Sequence, residues 1–197
     1  KVLNNLHEGP GAARNHGIFA TNLPWIAFLD ADDTWKTDKI KRIKQLIKED
    51  CGVNCFLHWE EYIRSDGSVS TLENGNKYEQ TFSISKQLYR NNFLSTSAVV
   101  CNRSLLMEVG GFDTTLPNCQ DYDLWLKLLP YINLFIIEKN LGTYFQRKSN
   151  ITSRPYYKRI LSELKICFRY KKYVSLRLFT FKFIKILFSK RWFELWA

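Results

Sequence analysis

The stretch Trp25-Ile-Ala-Phe-Leu-Asp-Ala-Asp-Asp33 decides the fold, because five apolar residues run straight into a cluster of three carboxylates. A short run that is apolar on both faces reads as a central strand of a parallel sheet covered by helices on each side. Ligands of open α/β sheets bind at the carboxyl ends of such strands. In an extended chain the side chains of Asp30 and Asp32 point the same way and that of Asp33 points opposite. Two carboxylates side by side repel unless a cation lies between them. A hard divalent ion holding a diphosphate resolves that conflict.

Upstream, Gly9-Pro-Gly11 is a turn, and residues 12–21 read as a helix. Downstream, Thr37 can cap a helix running to residue 49, with Ile40, Ile43, Leu46 and Ile47 as its buried stripe. Residues 53–63 read as a strand, and Ser65-Asp-Gly-Ser68 turns into a second, short one. A polar loop over 73–81 leads to a helix over 83–91 and a strand over 97–102. A short helix then runs to residue 109, where Gly110-Gly111 breaks the chain. A helix over 121–129 precedes strands at 132–137 and 141–146. Helices alternating with strands make the class α/β.

The chain has 197 residues, 45% of them hydrophobic, enough for one good core. The formal charge of +10 favours anionic partners. Most of the excess sits in residues 151–197, and the preceding residues are close to neutral. That distribution counts against nucleic-acid binding, which wants Lys and Arg over one face of the core. The cysteines Cys51, Cys55, Cys101, Cys119 and Cys167 are odd in number and match no zinc-site spacing. They read as reduced thiols of a cytoplasmic protein. No stretch reads as a signal peptide or as a membrane span. His7, His16 and His58 form no ligand pattern, and Trp59 and Trp125 read as core.

Four motifs in order are similar to those of the family 2 glycosyltransferases of the GT-A fold. They are Asn5 with Gly9-Pro-Gly-Ala-Ala-Arg-Asn-His-Gly17; Phe-Leu-Asp-Ala-Asp-Asp-Thr-Trp35 with Lys39; Gly110-Gly-Phe-Asp113; and Gln120-Asp-Tyr-Asp-Leu-Trp125. The resemblance covers residues 1–150 and implies a GT-A-like, mostly parallel central sheet flanked by helices, followed by a C-terminal helical tail. It implies an inverting transfer from a nucleotide-diphospho-sugar donor to a glycan or lipid-linked acceptor, dependent on Mg²⁺ or Mn²⁺. In that family a further strand precedes the point where this chain opens, so an N-terminally shortened nucleotide site is expected.

By the same resemblance Asp30, Asp32 and Asp33 match the DxD motif. Asp32 is then the metal ligand, with Asp30 beside the metal and the ribose. Asp121 matches the catalytic base, with Gln120 where the family usually has Glu. A carboxylate in the first turn of a helix is favoured by the dipole in any case, and Asp123 is read that way. Arg14 and Asn15 match a donor-binding Ala-Arg-Asn, and Gly111 lies in a loop that borders the donor sugar. Arg147-Lys148 is read as a solvated basic turn or a clamp on the diphosphate.

The tail, residues 151–197, reads as basic and amphipathic. Lys171, Lys182, Lys185 and Ser189 share one arc; Leu176, Phe179, Phe183, Ile184, Ile186 and Leu187 lie opposite, with Arg177 among them. Such a helix docks on an anionic membrane surface, or packs on its own domain or on a second subunit of a homodimer. The membrane reading makes the protein peripheral on the cytoplasmic membrane face. The rival to an enzyme is a shortened or inactive relative that binds a nucleotide or a partner without turnover.

Overall fold

The computed structural model describes residues 2–49, 52–75, 84–146 and 157–188, the side chains of 157–159 excepted. Helix α1 (Pro10–Phe19) starts where Gly9, at φ 91°, lets the chain turn, with Pro10 in the first helical position. Gly11, Ala12, Asn15 and Ile18 form its inner stripe. Strand β1 (Trp25–Ala27) and the two-residue β2 (Thr34–Trp35) flank the carboxylates. Helix α2 (Lys39–Glu49), long β3 (Cys55–Ile63) and β4 (Val69–Leu72) follow. Then come α3 (Ile84–Arg90), β5 (Val99–Asn102), α4 (Arg103–Glu108), α5 (Gln120–Leu128) and β6 (Leu134–Phe145). Helices α6 (Tyr157–Arg169) and α7 (Leu176–Leu187) end the described chain.

The strands form one sheet in the order β1-β5-β3-β6-β2, with β4 also paired to β3. The α/β class and the helical tail are as expected, but the strand directions are not. Among the described residues only β3 and β6 run parallel; β1–β5, β3–β5, β3–β4 and β2–β6 are antiparallel, so the sheet is mixed rather than mostly parallel. Strand β1, expected at the centre, ends the order among the described residues. Apolar residues on both faces specify burial, and burial does not set the direction of a neighbour.

Alternation along the strands builds two cores. Cys55, Leu57, Val99 and Cys101 face a large cluster shared with α1, α4, α5, α6 and α7. Phe56 and Val100 point the other way, onto Ile43 and Leu46 of α2. The expected stripe of α2 is displaced by one residue at its start. Ile40 is exposed and Lys39 is fully buried. The two expected last strands are one continuous β6.

The tail is not separate from this core. Ile160, Ile166, Cys167 and Tyr170 of the α6 segment, and Ile186 of α7, join the same cluster as Trp125. Buried Asp123 anchors α6, accepting from Arg169 Nη1 at 2.6 Å and Tyr170 Oη at 3.0 Å. Lys182, expected on a solvated arc, is buried and donates to the Tyr89 carbonyl at 2.6 Å and to the Tyr122 hydroxyl. Packing on its own domain is therefore what α6 and the inner face of α7 do. Leu176 and Ile184, expected on the apolar face, are exposed, as is Arg177. Arg147, Lys148, Ser189, Trp192 and Trp196 lie outside the described residues.

Candidate active site

The chain leaves β1 and closes a turn, with Asp33 N–H donating to Asp30 O at 3.1 Å. The extended alternation expected for Asp30, Asp32 and Asp33 is therefore replaced by a turn that separates their tasks. Asp33 goes inward. It accepts from Ser97 Oγ at 2.6 Å and from Phe145 N–H at 3.3 Å, and burial raises its pKa above the ordinary carboxylate value. Ser97 Oγ in turn accepts the Asp30 N–H at 3.0 Å. Asp30 and Asp32 are left half-exposed at the rim.

Beneath this turn lies a buried polar layer. Lys39 Nζ donates to Ser97 O at 2.8 Å and sits 4.1 Å above the Trp35 ring, whose Nε1 donates to the same carbonyl at 3.2 Å. Burial pushes the Lys39 ammonium down to about 7, against a smaller pull from Glu60. Glu60 is buried too, raised by desolvation and held by Asn74 Nδ2 at 3.0 Å. His58 beside it is pushed down to about 3 by burial and by the Lys39 charge. Sequence reasoning named Lys39 only as part of a motif, left His58 without a role and passed over Glu60. Their signal was a His and a Glu two apart inside an apolar strand, hence on one face.

Arg14 projects from α1 onto Asp30, forming an ion pair, with its guanidinium 5.3 Å from the centre of the Phe112 ring. Asn15 does not face the cleft. Its Nδ2 donates to Phe112 O at 2.9 Å and its Oδ1 accepts Phe112 N–H at 2.8 Å. Both ends of its amide are occupied by the Gly110-Gly-Phe-Asp turn, so Asn15 clamps that turn. Gly111 stands at φ 68°, and a Cβ there would lie 2.4 Å from Asn15 Oδ1. It is buried against Asn15 and does not line the cleft.

Helix α5 begins after Cys119, which takes the left-handed conformation at φ 58°. A Cβ on Gly11 would meet Gln120 Oε1 at 2.5 Å, so α1 presses directly on the start of α5. Asp121 is half-buried, with Asn92 Nδ2 donating to its Oδ2 at 3.1 Å. Desolvation raises its pKa; the Tyr122 N–H, the Arg14 charge and Asn92 act against the rise. Trp125, one helical turn on, is fully buried. Phe28 and Phe112 meet its ring at 6.0 and 6.3 Å and each other at 5.6 Å. One aromatic from each of three motifs, with Arg14 of the fourth over Phe112, joins the motifs into a single body.

A cleft of about 550 Å³ opens over this body. Arg14, Asp30, Gln120 and Asp121 line it; Asn15, Gly111 and Asp32 do not. Among the described residues no group of three or more His, Cys, Asp or Glu is arranged to hold a metal. Asp30 and Asp32 present hard oxygen donors on one turn. That suits an ion of the Mg²⁺ kind, which takes one or two carboxylates and fills its shell with water and substrate phosphate.

A mixed α/β sheet thus brings its acidic turn and a carboxylate-led helix together at one cleft. The family model described as "Glycosyltransferase like family 2" matches residues 3–183, and the chain belongs to that family. An uncharacterized glycosyltransferase of Haemophilus influenzae is 24% identical over 77% of this chain and 53% of its own length. The amylovoran biosynthesis glycosyltransferase AmsB of Erwinia amylovora is 33% identical over 64% of this chain and 43% of its own. The crystal structure of S. aureus TarS superposes with a TM-score of 0.60 at 16% identity, covering 95% of this chain and 54% of that one, which shows a shared fold. The chain spans about half the length of the curated relatives it matches.

Proposed function

We propose that the protein transfers a sugar from a nucleotide-diphospho-sugar to a hydroxyl of a glycan or lipid-linked acceptor, with inversion at the anomeric carbon. The observation that carries this reading is Asp121, half-buried and raised in pKa, in one cleft with the Arg14–Asp30 pair. Asp121 takes the acceptor's hydroxyl proton as that oxygen bonds to the anomeric carbon. The bond from that carbon to the diphosphate oxygen breaks on the opposite side, and the electron pair leaves with the nucleoside diphosphate. Mg²⁺ or Mn²⁺ held by Asp32, with Asp30 beside it, would neutralise the leaving diphosphate without protonating it. Arg14 orients Asp30 and keeps a positive charge near the donor. An Escherichia coli relative, 27% identical over 65% of this chain and 47% of its own length, is named as a UDP-Glc:alpha-D-GlcNAc-diphosphoundecaprenol beta-1,3-glucosyltransferase. That name supports a lipid-linked acceptor for this chain as well.

Release of nucleoside diphosphate from a panel of nucleotide sugars tests the reading. Asp121→Asn should bind donor as wild type does and lose about 100-fold or more in transfer. Turnover within a few-fold of wild type would leave Asp121 as a helix-start residue only. Asp32→Asn should abolish Mn²⁺-dependent donor binding while the fold stays intact; unchanged binding in calorimetry would remove the metal assignment.

The outer face of α7 supports a peripheral membrane role. Leu176, Phe181, Ile184 and Phe188 are exposed there, with the exposed cations Lys171, Lys172 and Arg177 nearby in sequence. An anionic lipid surface matches both the apolar side chains and the charge. Vesicle co-sedimentation measures it.

A further inference from the structure

The loop that follows α3 reaches across to Asp121. Asn92 Nδ2 donates to Asp121 Oδ2 at 3.1 Å. The other end of the same amide is also engaged. Asn92 Oδ1 accepts the Leu94 N–H at 3.2 Å and closes a turn within its own loop, so the Nδ2 end is the one that faces the carboxylate. Leu94 is buried in the main core, and so is Tyr89 on the other side of Asn92. These two residues fasten the loop on either side of the amide.

Helix α7 fastens it a second time. The last carbonyls of a helix have no partner within it. That of Tyr89, near the end of α3, accepts from the Tyr122 hydroxyl at 2.6 Å and from Lys182 Nζ at 2.6 Å. Lys185 of the same helix donates to Asn91 Oδ1 at 2.9 Å. Tyr122 is the residue after Asp121, so the loop is tied to the base's own neighbour. Asn92 itself is exposed and takes no part in the core.

The chemistry gives the Asn92 contact a use. A general base must present an oxygen within hydrogen-bond reach of the acceptor hydroxyl. A carboxylate turned away from that position loses much of the rate. A donor on one oxygen fixes the rotation of the group. It also favours the ionised form, the only one able to take a proton; the Arg14 charge acts the same way and the Asp30 charge acts against it. Glu163, Lys182 and Lys185 are the other charged groups of the cleft lining on the α6 and α7 side, and Arg90 ends α3.

We infer that Asn92 is a positioning residue for the reaction, holding the Asp121 carboxylate by one oxygen so that the other meets the acceptor hydroxyl. The inference rests on the transferase reading and adds to it a residue that none of the four motifs contains.

The test compares Asn92→Asp with Asn92→Ala. Asp keeps an oxygen for the Leu94 N–H, and with it the turn, but has no N–H for Asp121 and sets a like charge beside it. Substitution at an exposed position leaves the fold intact in both. Each variant should lower kcat about ten-fold or more, with the donor KM moved less than about two-fold. The acid limb of the kcat profile should move to higher pH in both, and further in Asn92→Asp, since each loses the contact that favours the ionised base. If Asn92→Asp turns over within about two-fold of wild type, the amide only shapes its own loop and the inference falls, whatever Asn92→Ala does. Should wild type turn over no donor, the transferase reading fails by itself. The hold on Asp121 is then judged by ¹³C NMR titration of its carboxyl group. A midpoint raised by about half a pH unit or more in Asn92→Ala upholds the contact, and an unmoved midpoint removes it.

Discussion

Ser97 carries more of the acidic turn than any carboxylate in it. Its hydroxyl bridges Asp33 and the Asp30 N–H, and its carbonyl receives both Lys39 and Trp35. Ser97→Ala leaves buried Asp33 short of a partner and should lower stability by about 1–3 kcal/mol in urea unfolding. A loss below about 0.5 kcal/mol, the level of an ordinary surface change, would show that the bridge contributes nothing. Lys39 gives a pH signature. Its folded pKa is near 7 and its ordinary value 10.5. Between those values the unfolded chain holds a proton that the folded chain has released, so stability rises with pH across that window. Wild type should therefore gain on Lys39→Met by up to about 1 kcal/mol per pH unit from pH 7 to 9. A flat difference would mean Lys39 keeps its proton. None of this layer was legible from the motif alone. The sequence marks Lys39, His58 and Glu60 as charged or titratable, and only the bulged parallel pairing of β3 and β6 brings His58 and Glu60 beneath the turn.

At the scale of elements, the positions and types of helices and strands were legible to within a few residues, because periodicity and Gly or Pro punctuation are local signals. Strand direction was not, since it depends on which distant segment pairs with which. The tail was legible as amphipathic but not as to its partner. The partner is set by buried Asp123, whose reading as a structural residue fits the ion pair it makes with Arg169. Arg169 also bonds Asp113 at 2.9 Å, so one guanidinium ties α6 to the Gly-Gly-Phe-Asp turn and to α5. Arg169→Met leaves buried Asp123 to Lys127, 3.2 Å away, and the Tyr170 hydroxyl, and should cost about 1–3 kcal/mol, with earlier proteolysis of α6 and α7. Asp113 is held down at about 2, by Thr115 and Arg169 against a desolvation cost. Its stabilising contribution is present above the ordinary carboxylate value of 3.8 and is lost as pH falls from there through about 2. Acid unfolding midpoints for wild type and Arg169→Met should therefore converge below pH 3. A gap that stays constant through that range would place the effect elsewhere.

On the scale of the molecule, charge is distributed with a purpose in view. The excess of cations lies in a tail whose inner face is committed to the core and whose outer face is not. Binding to vesicles should rise with anionic lipid and fall with salt, since each cation near such a surface contributes about 1 kcal/mol. Leu176→Ser with Phe181→Ser and Ile184→Ser should abolish it without unfolding the protein. Indifference of wild type to anionic vesicles would leave that face as plain solvent-exposed surface. The three motif aromatics carry a different consequence. Phe28, Phe112 and Trp125 lock the acidic turn, the glycine turn and the α5 helix to one another. Truncating any one of the three removes packing from the other two, a cost of about 3–5 kcal/mol for a buried aromatic. Tolerance to substitution should therefore grow with distance from these three rings, and the rim of the cleft is where the chain can change its chemistry at least cost to its fold.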